Sequence, residues 1–310
     1  MNALPRFSLF FAAALWTSGQ PRFDATFWQT WGDGQAELAG YDLTYPKYGA
    51  PRRGIAVAIF VTETFSNSAR VKADPGKHPA SDEFPVMKLI LMKDYQTGIY
   101  DYHDMLSVFV ALAPVNGRPA GSPAKVSFSS QEWCGHFYSQ LLFDSAAIRA
   151  DAHSYFDGEG DQQRRLDYPA AGVSEDALLL WARGMAGPVL APGETRVVPL
   201  LTALPTARET HAPLAWRKAT LSRAPQPYRI SVPAGTFDAE LYQARIDGGP
   251  QYKFFVGTSG ARRILQWESS TGEKAVLLAS DRLKYWELSG PGGKRALRRL
   301  GLSPRPLRTS

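Results

Sequence analysis

From Tyr228 to Leu288 the chain is a series of short apolar runs separated by turn residues, and this pattern restricts the fold more than any other feature. The breaks fall at Pro233, Gly248-Gly249, Ser259-Gly260 and Thr271-Gly272. Their spacing is that of antiparallel hairpins. The sequence therefore predicts an antiparallel meander over this region, whose last strand is Leu283 to Leu288.

The first half of the chain shows the same punctuation. Ile55 to Thr62, Val86 to Met92 and Met105 to Leu112 are short apolar runs bounded by polar or glycine-containing segments. Aromatic residues make up 12% of the chain, and 23 Pro with 27 Gly interrupt it, which favours short strands over long helices. We predict a mainly β fold, a large curved antiparallel sheet or open barrel-like meander with one or two short helices. The clearest helix is Glu175 to Met185, with Ser174 as its N-cap.

The N-terminus has the layout of a secretory signal peptide. The run Phe7 to Trp16 is interrupted only by Ser8, and Thr17-Ser18-Gly19 supplies small residues for cleavage. We therefore expect an exported protein, in the periplasm or at the cell surface. The predicted organisation is a signal peptide (1–19), an N-terminal β-rich region (20–198), a Pro-rich connection (199–227), a C-terminal meander in the same sheet (228–289) and a basic tail (290–310).

The formal charge of +6 is concentrated near the C-terminus. The tail contains Lys294, Arg295, Arg298, Arg299, Arg305 and Arg308. A basic tail of this kind predicts either a solvated terminus or peripheral contact with an anionic membrane. Nucleic acid is not an expected partner, since the tail lacks aromatic residues on which bases would stack.

The densest chemistry lies between Ser127 and Phe143, where Glu132, Cys134 and His136 fall within five consecutive residues and Cys134 is the single cysteine. Apolar positions are even before this point and odd after it, so one regular strand cannot place them on one face. A hairpin turning at Cys134-Gly135 would pair Trp133 with His136, and a bulge at Gly135 would have a similar effect.

Cys134 is open to more than one interpretation. The run Trp133 to His136 resembles the start of a thioredoxin-type redox site, but Phe137 stands where the second cysteine would be, so disulfide exchange is not predicted. Cys134 would be a nucleophile if His136 or His153 acted as base and Glu132 oriented that base. The alternative is a buried thiol beside a hydrogen-bonded imidazole.

A Gly-rich loop carries alternating acids at Asp157, Glu159 and Asp161. The downstream glycine and glutamate of a calcium loop are replaced by Gln162 and Tyr168. The loop is therefore interpreted as a solvated acidic turn. We predict no metal and no cofactor.

Several segments resemble a group of exported bacterial proteins of unknown function. They are Ile59 to Ser66, Thr97 to Tyr102, Met105 to Phe109, Ser130 to His136 and Ser154 to Asp161. Members of that group often carry the label septum formation inhibitor Maf. Maf pyrophosphatases open with a strand, a Ser-rich loop with Pro-Arg-Arg, and a helix. Here Pro51-Arg52-Arg53 leads directly into a strand, so the Maf phosphate-binding architecture is not predicted.

The C-terminal meander, with Gly235 to Phe237 and Arg262 to Trp267, is similar to domains of unknown function in secreted Gram-negative proteins. That resemblance implies an open, antiparallel, barrel-like sheet.

These patterns predict a non-enzymatic envelope protein that binds an apolar or envelope-derived ligand. The predicted ligand contacts are Gln131, Trp133, Tyr138, Tyr155 and Glu159. The alternatives are a hydrolase or transferase that uses Cys134 and His136, and a structural partner in an envelope complex.

Overall fold

The computed structural model describes residues 19–304, and these residues form a mainly β protein with few short helices, which confirms the predicted fold class. The strands are β1 Ala36–Lys47, β2 Ala50–Ser66, β3 Val71–Lys72, β4 Glu83–Thr97, β5 Tyr100–Ala111, β6 Pro123–Glu132, β7 Gly135–Phe143, β8 Ala147–Ser154, β9 Gln162–Asp167, β10 Val173–Ser174, β11 Thr195–Leu201, β12 Trp216–Arg223, β13 Tyr228–Val232, β14 Gly235–Ile246, β15 Gln251–Gly257, β16 Ile264–Ser269 and β17 Lys274–Leu283. The α-helices are α1 Ala25–Trp31, α2 Leu178–Ala182 and α3 Leu204–Thr210. Short 3₁₀ helices occupy Ala80–Asp82, Glu175–Ala177, Tyr285–Leu288 and Gly293–Leu300.

The strands form one continuous sheet. Its order is β9-β8-β7-β6-β5-β4-β2-β1-β17-β16-β15-β14-β12-β11. These neighbours are antiparallel, whereas β10 adds to β11 in parallel. The strands of the 228–289 meander therefore lie in the same sheet as the N-terminal strands.

Side chains join the two ends of this sheet. The Trp216 indole of β12 donates a 2.9 Å hydrogen bond to the Asp167 carbonyl at the end of β9, and the Trp216 ring stacks on Tyr168. On the β9 side of this contact, Arg118 from the β5–β6 connection donates to the carbonyl oxygens of Tyr168 and Pro169 and holds the segment after β9 in place. The sheet thus wraps around a single main core, and we refer to this junction as the seam.

The turns that join β1 to β2, β4 to β5, β6 to β7 and β8 to β9 lie at one end of the sheet because successive strands are antiparallel. The turns from β14 to β15 and from β16 to β17 lie at this end as well, and so does the β11–β12 connection that contains α3. We call this end the mouth.

The interior away from the mouth is filled by the protein's own residues. Trp181 of α2 is buried, with its ring 5.5 Å from Tyr242 and 6.4 Å from Phe254. Just beyond α2, Arg183 forms a bidentate pair with Glu37 of β1 at 2.8 and 3.0 Å, and neither side chain is exposed by more than 1%. The segment around α2 is therefore a plug fastened to the wall of the sheet.

Several local predictions differ from the structure. The helix expected over 175–185 begins as a 3₁₀ turn and continues as the short α2, while Ser174 belongs to β10 and makes no side-chain cap. The segment 199–227, expected to be an irregular connection, holds the end of β11, α3 and all of β12. The last strand is expected over 283–288, but a 3₁₀ helix forms after Leu283. Leu283 pairs with Ala36, the first residue of β1, so beyond Leu283 the chain has no neighbouring strand with which to pair.

The basic tail is docked rather than free where it is described. Leu300 and Leu302 are buried against the outer face of the sheet, and the Leu300 carbonyl lies over Gly40, where a Cβ would come within 2.2 Å of that oxygen. Arg305 and Arg308 lie outside the described residues, as do residues 1–18 of the predicted signal peptide. Between residues 19 and 304, no helix has the length and apolarity needed to cross a bilayer.

Candidate functional site

A cavity of about 540 Å³ lies at the mouth between α3 and the inner face of the sheet, and we call it the α3 cavity. One side is apolar, with Leu91, Leu106 and Leu179 among its residues. The other residues that line it include Tyr45, Lys93, Glu175, Asp176, Thr206, Ala207, Glu209, Arg217, Tyr252, Trp267 and Glu273. The cavity therefore combines an apolar wall with a ring of hydroxyl and charged groups.

Two adjacent acids hold the beginning of α3. The Glu175 carboxylate accepts a hydrogen bond from the Ala203 backbone N–H at 2.8 Å, and Asp176 accepts from the Leu204 N–H at 3.2 Å. Tyr252 donates its hydroxyl to the other Glu175 oxygen at 2.6 Å. Both acids thus satisfy N–H groups at the α3 N-terminus that the helix itself cannot pair.

Burial of this acid pair changes its protonation. Burial and, to a smaller extent, the neighbouring Glu175 charge together raise the pKa of Asp176 to about 8, although the Leu204 hydrogen bond opposes the rise. Burial also raises the pKa of Glu175, against the opposing effect of the Tyr252 hydrogen bond. Two buried carboxyls this close cannot both ionise easily, so the pair keeps a proton at neutral pH.

The rest of α3 is fastened to the wall by polar contacts. Arg208 forms a 2.7 Å ion pair with Glu132 of β6, and Glu132 also accepts from the Tyr102 hydroxyl at 2.5 Å. Glu209 accepts from the Tyr45 hydroxyl at 2.5 Å. Past the helix, His211 bonds to Glu159.

A smaller cavity of about 240 Å³ lies on the opposite side of α3. Ala207 lines both cavities, and Arg208 and Glu159 line the smaller one. The helix is thus a partition between two spaces at the mouth, and a displacement of α3 would join them.

Tyrosines form a stack beside the α3 cavity. The Tyr45 ring lies 4.7 Å from Tyr95, and Tyr95 lies 5.0 Å from Tyr102 in a nearly parallel arrangement. Lys93 Nζ sits 4.9 Å above the Tyr45 ring, and Lys47 Nζ sits 5.1 Å above Tyr102. Burial raises the pKa of each of these three tyrosines, so their hydroxyls remain neutral hydrogen-bond donors.

The β6–β7 hairpin turns one residue earlier than predicted. Its turn is Trp133-Cys134, and Glu132 faces Gly135 while Gln131 faces His136. The actual register differs from the predicted one by two residues, which leaves every side chain on its predicted face because side chains alternate with period two. Ser129 and Tyr138 are paired on the outer face, as are Ser127 and Gln140.

The hairpin separates the predicted Cys134, His136 and Glu132 group. Only 5% of the Glu132 side chain is exposed, and it points inward to Tyr102 and Arg208. His136 is exposed on the opposite face, and Cys134 is exposed at the turn. The Glu132 carboxylate thus bonds to Tyr102 and Arg208 and belongs to the α3 contacts, on the face opposite His136.

The predicted ligand contacts are divided as well. Glu159 reaches the smaller cavity, where the His211 and Ser154 hydrogen bonds lower its pKa although burial opposes them. Gln131 and Trp133 are exposed near the hairpin turn. Tyr138 and Tyr155 line an open depression on the outer face, together with Gly135, His136, His153, Ser154 and Asp161.

Residues of the α3 cavity were missed for identifiable reasons. Thr206 and Glu209 lie in the segment that the sequence predicts to be a Pro-rich connection, and Tyr45 and Lys93 lie on strands where the apolar residues alone give a pattern. The adjacent Glu175 and Asp176 were the available signal, but they were interpreted as the first turn of their own helix. Within the described chain, no group of three or more His, Cys, Asp or Glu side chains is arranged to hold a metal ion.

No family model matches the chain, and no curated protein matches it. Among solved structures, it is similar to a crystal structure of a β-barrel-like protein of a domain of unknown function, DUF1849, from Brucella abortus. The match has a TM-score of 0.44 and 10% sequence identity, and it covers 80% of this chain and 98% of the other. The resemblance to exported proteins labelled Maf stays a prediction.

Proposed function

We propose that this chain is an exported binding protein that holds a small amphipathic ligand in the α3 cavity. The observation that supports this most directly is the lining of that cavity, in which leucine and tryptophan side chains face a ring of carboxyl, hydroxyl and ammonium groups. Ligand sites in proteins typically have this composition, with an apolar body and a few polar groups that fix orientation.

The charges in the lining favour a neutral or cationic polar group on the ligand. The acids Glu175, Asp176, Glu209 and Glu273 line the α3 cavity, against the cationic Lys93 and Arg217. Lys93 is already paired with Glu273 at 2.7 Å. Because Glu175 and Asp176 share a proton, three carboxylates face two cations in this lining. The remaining negative charge disfavours an anionic head group and favours a hydroxyl or ammonium group.

The filled interior revises the predicted ligand. An apolar ligand within the sheet would need the volume that the plug around Trp181 occupies. The space at the mouth is polar on one side, so an amphipathic molecule fits better than a purely apolar one.

Dodecyltrimethylammonium, dodecyl maltoside and dodecyl sulfate test this proposal because they share one alkyl chain and differ in head group. We expect the first two to bind the wild type below their micelle concentrations, with dodecyl sulfate weaker by roughly tenfold, a difference of about 1.4 kcal/mol. Isothermal titration calorimetry measures the three affinities. Equal binding of all three would reject the head-group preference, and binding of none would reject the site.

A cavity-filling variant locates the binding. Ala207→Trp places a large ring between the two cavities and should abolish binding. Ala170→Trp is the matched control, because Ala170 is exposed and outside both cavities. If Ala207→Trp binds the probes as tightly as the wild type does, the probes bind outside the α3 cavity.

Export is the second part of the proposal and rests on the sequence of residues 1–19. Expression of the full chain in a Gram-negative host, followed by fractionation and intact-mass measurement, should show a periplasmic product shortened near Gly19. A full-length cytoplasmic product would contradict export.

A further inference from the structure

The most exposed large hydrophobic side chains of the described residues lie together at the mouth. They are Ile99, Tyr155, Tyr48 and Trp133, with exposures of 69%, 68%, 66% and 58%. We call this set the hairpin rim. Single exposed apolar residues are ordinary on protein surfaces, but a set gathered at one end of a fold indicates an interaction surface.

Each member of the hairpin rim stands at the tip of a different connection. Tyr48 lies between β1 and β2, Ile99 between β4 and β5, Trp133 between β6 and β7, and Tyr155 between β8 and β9. These hairpins are consecutive in the sheet. Because neighbouring strands are about 4.8 Å apart, successive tips are roughly 10 Å apart and the rim extends over about 30 Å.

The tips are held in place rather than loose. Tyr48 adopts a left-handed backbone conformation with φ of 53°, which is unfavourable for a residue with a bulky side chain. Gly49 follows with φ of 71°. The Trp133 ring packs 5.5 Å from Tyr100. The Tyr155 ring lies on Gly135, where an added Cβ would be 2.4 Å from its Cγ. The Tyr48 hydroxyl is also hydrogen-bonded to that of Tyr102 at 2.6 Å. Contacts with the rest of the protein thus fix Tyr48, Trp133 and Tyr155 while much of each side chain stays exposed.

The chemistry of the hairpin rim matches the surface of a lipid bilayer. Tyr and Trp combine an apolar ring with a polar group, and both are enriched where membrane meets water. Separate projecting tips suit a deformable lipid surface, whereas a protein interface needs a contiguous patch packed at the density of a protein core. The rim carries charges of both signs, with Asp157 and Asp161 beside Tyr155 and with Lys47 and Arg52 beside Tyr48. This mixture favours zwitterionic over anionic head groups.

We propose that the hairpin rim docks on a zwitterionic bilayer and turns the mouth, with its α3 cavity, toward the lipid. This surface is distinct from the basic tail, which lies on the outer face of β1 and β17 near Gly40 and Leu278. The proposal does not depend on which ligand the cavity holds, since binding to vesicles is measured without one.

Vesicle flotation with phosphatidylcholine tests the proposal. The variant Ile99→Ser, Trp133→Ser, Tyr155→Ser should lose at least tenfold in partitioning relative to the wild type. The matched control is Val71→Ser, Val197→Ser, Tyr228→Ser, which removes side chains of 45%, 56% and 46% exposure away from the rim and should partition like the wild type. Circular dichroism melting establishes that each variant is folded before comparison.

The single cysteine supplies an independent readout, since Cys134 is exposed beside Trp133. An environment-sensitive fluorophore on Cys134 should shift to the blue with phosphatidylcholine vesicles and be quenched by brominated lipid. The same fluorophore on a Val197→Cys, Cys134→Ser protein should not respond.

Three results would overturn the proposal. The first is a wild-type protein that stays in the aqueous fraction. The second is equal partitioning of the rim and control variants. The third is wild-type binding only to vesicles that contain phosphatidylglycerol, with that binding lost in the variant Lys294→Gln, Arg295→Gln, Arg298→Gln. The last result would assign membrane contact to the tail, and the first would leave a protein partner as the occupant of the rim.

Discussion

Glu132 of β6 and Arg208 of α3 form a 2.7 Å ion pair in which 5% of the Glu132 side chain and 8% of the Arg208 side chain are exposed. The pair joins the wall of the sheet to the helix that divides the two cavities. Its position makes the stability of α3 measurable by substitution.

Glu132→Gln should destabilise the protein by about 3–5 kcal/mol, because it leaves the Arg208 charge buried without its partner. Urea unfolding measures this change. The control is Asp42→Asn, which breaks an exposed pair with Arg53 and should cost only about 0–1 kcal/mol. Similar losses in the two variants would mean that the Glu132 pair does not hold α3.

Asp176 should make stability depend on pH. Its raised pKa means that the folded carboxyl keeps a proton which the unfolded one loses above about pH 4, so stability falls as the pH rises from about 4 to about 8. Asp176→Asn removes this contribution and can still accept from Leu204. Its stability relative to the wild type should therefore rise between pH 5 and pH 9, by up to about 1.4 kcal/mol per unit.

Thermal and urea unfolding at both pH values check the Asp176 prediction. Asp104 also has a pKa raised by burial, but it is present in both proteins and cancels in the comparison. Glu175 is coupled to Asp176, so the comparison is repeated in a Glu175→Gln background, where only the Asp176 contribution differs. A variant that parallels the wild type at both pH values would show that Asp176 ionises normally in the folded state.

Gly135→Ala should displace Tyr155, because the new Cβ would lie 2.4 Å from Cγ of that ring. We expect a loss of about 1–3 kcal/mol, and a much smaller loss when Tyr155 is already Ser. Gly160→Ala is the matched control, since its Cβ would enter open space in the same region. The double-mutant cycle fails to support the contact if the Gly135 effect is independent of Tyr155.

Arg183→Met should be among the most damaging substitutions, at about 3–5 kcal/mol, since it leaves Glu37 buried without its guanidinium partner. Adding Glu37→Met should restore part of that loss, because an apolar pair avoids the cost of a buried unpaired charge. Chemical unfolding of the single and double variants makes the comparison. A double variant that is less stable than Arg183→Met would show that the unpaired Glu37 charge does not cause the loss of stability.

The parity of apolar residues predicted the faces of β6 and β7 correctly although the turn was misplaced. Face assignment depends only on whether positions are even or odd, while the turn position depends on contacts from elsewhere in the chain. Gly135 is a strand residue that accepts the Tyr155 ring, and this requirement comes from a loop twenty residues away. Such a requirement is invisible in local sequence.

The α3 region shows why the site could not be predicted from sequence. Pro205 lies at the start of α3, where proline is favoured, and Pro199 lies on β11 near the edge of the sheet. Both were interpreted as breaks in regular structure. The acids that cap α3 come from Glu175 and Asp176, which precede it by 28 residues. Only the tertiary fold brings these groups together.

The sheet should resist a pulling force less at the seam than at any of its strand pairs. Among the described strands, β9 and β11 carry no backbone ladder to each other, so the sheet is closed only by the Trp216 contacts with Asp167 and Tyr168 and by the two-residue pairing of β10 with β11. A pulling force applied across this line would meet a few hydrogen bonds and a ring stack, whereas elsewhere it would meet full ladders. Under load the wall should part first at Trp216 and at the short β10–β11 pairing, and the sheet would then unroll as one strip with its other strand pairs intact.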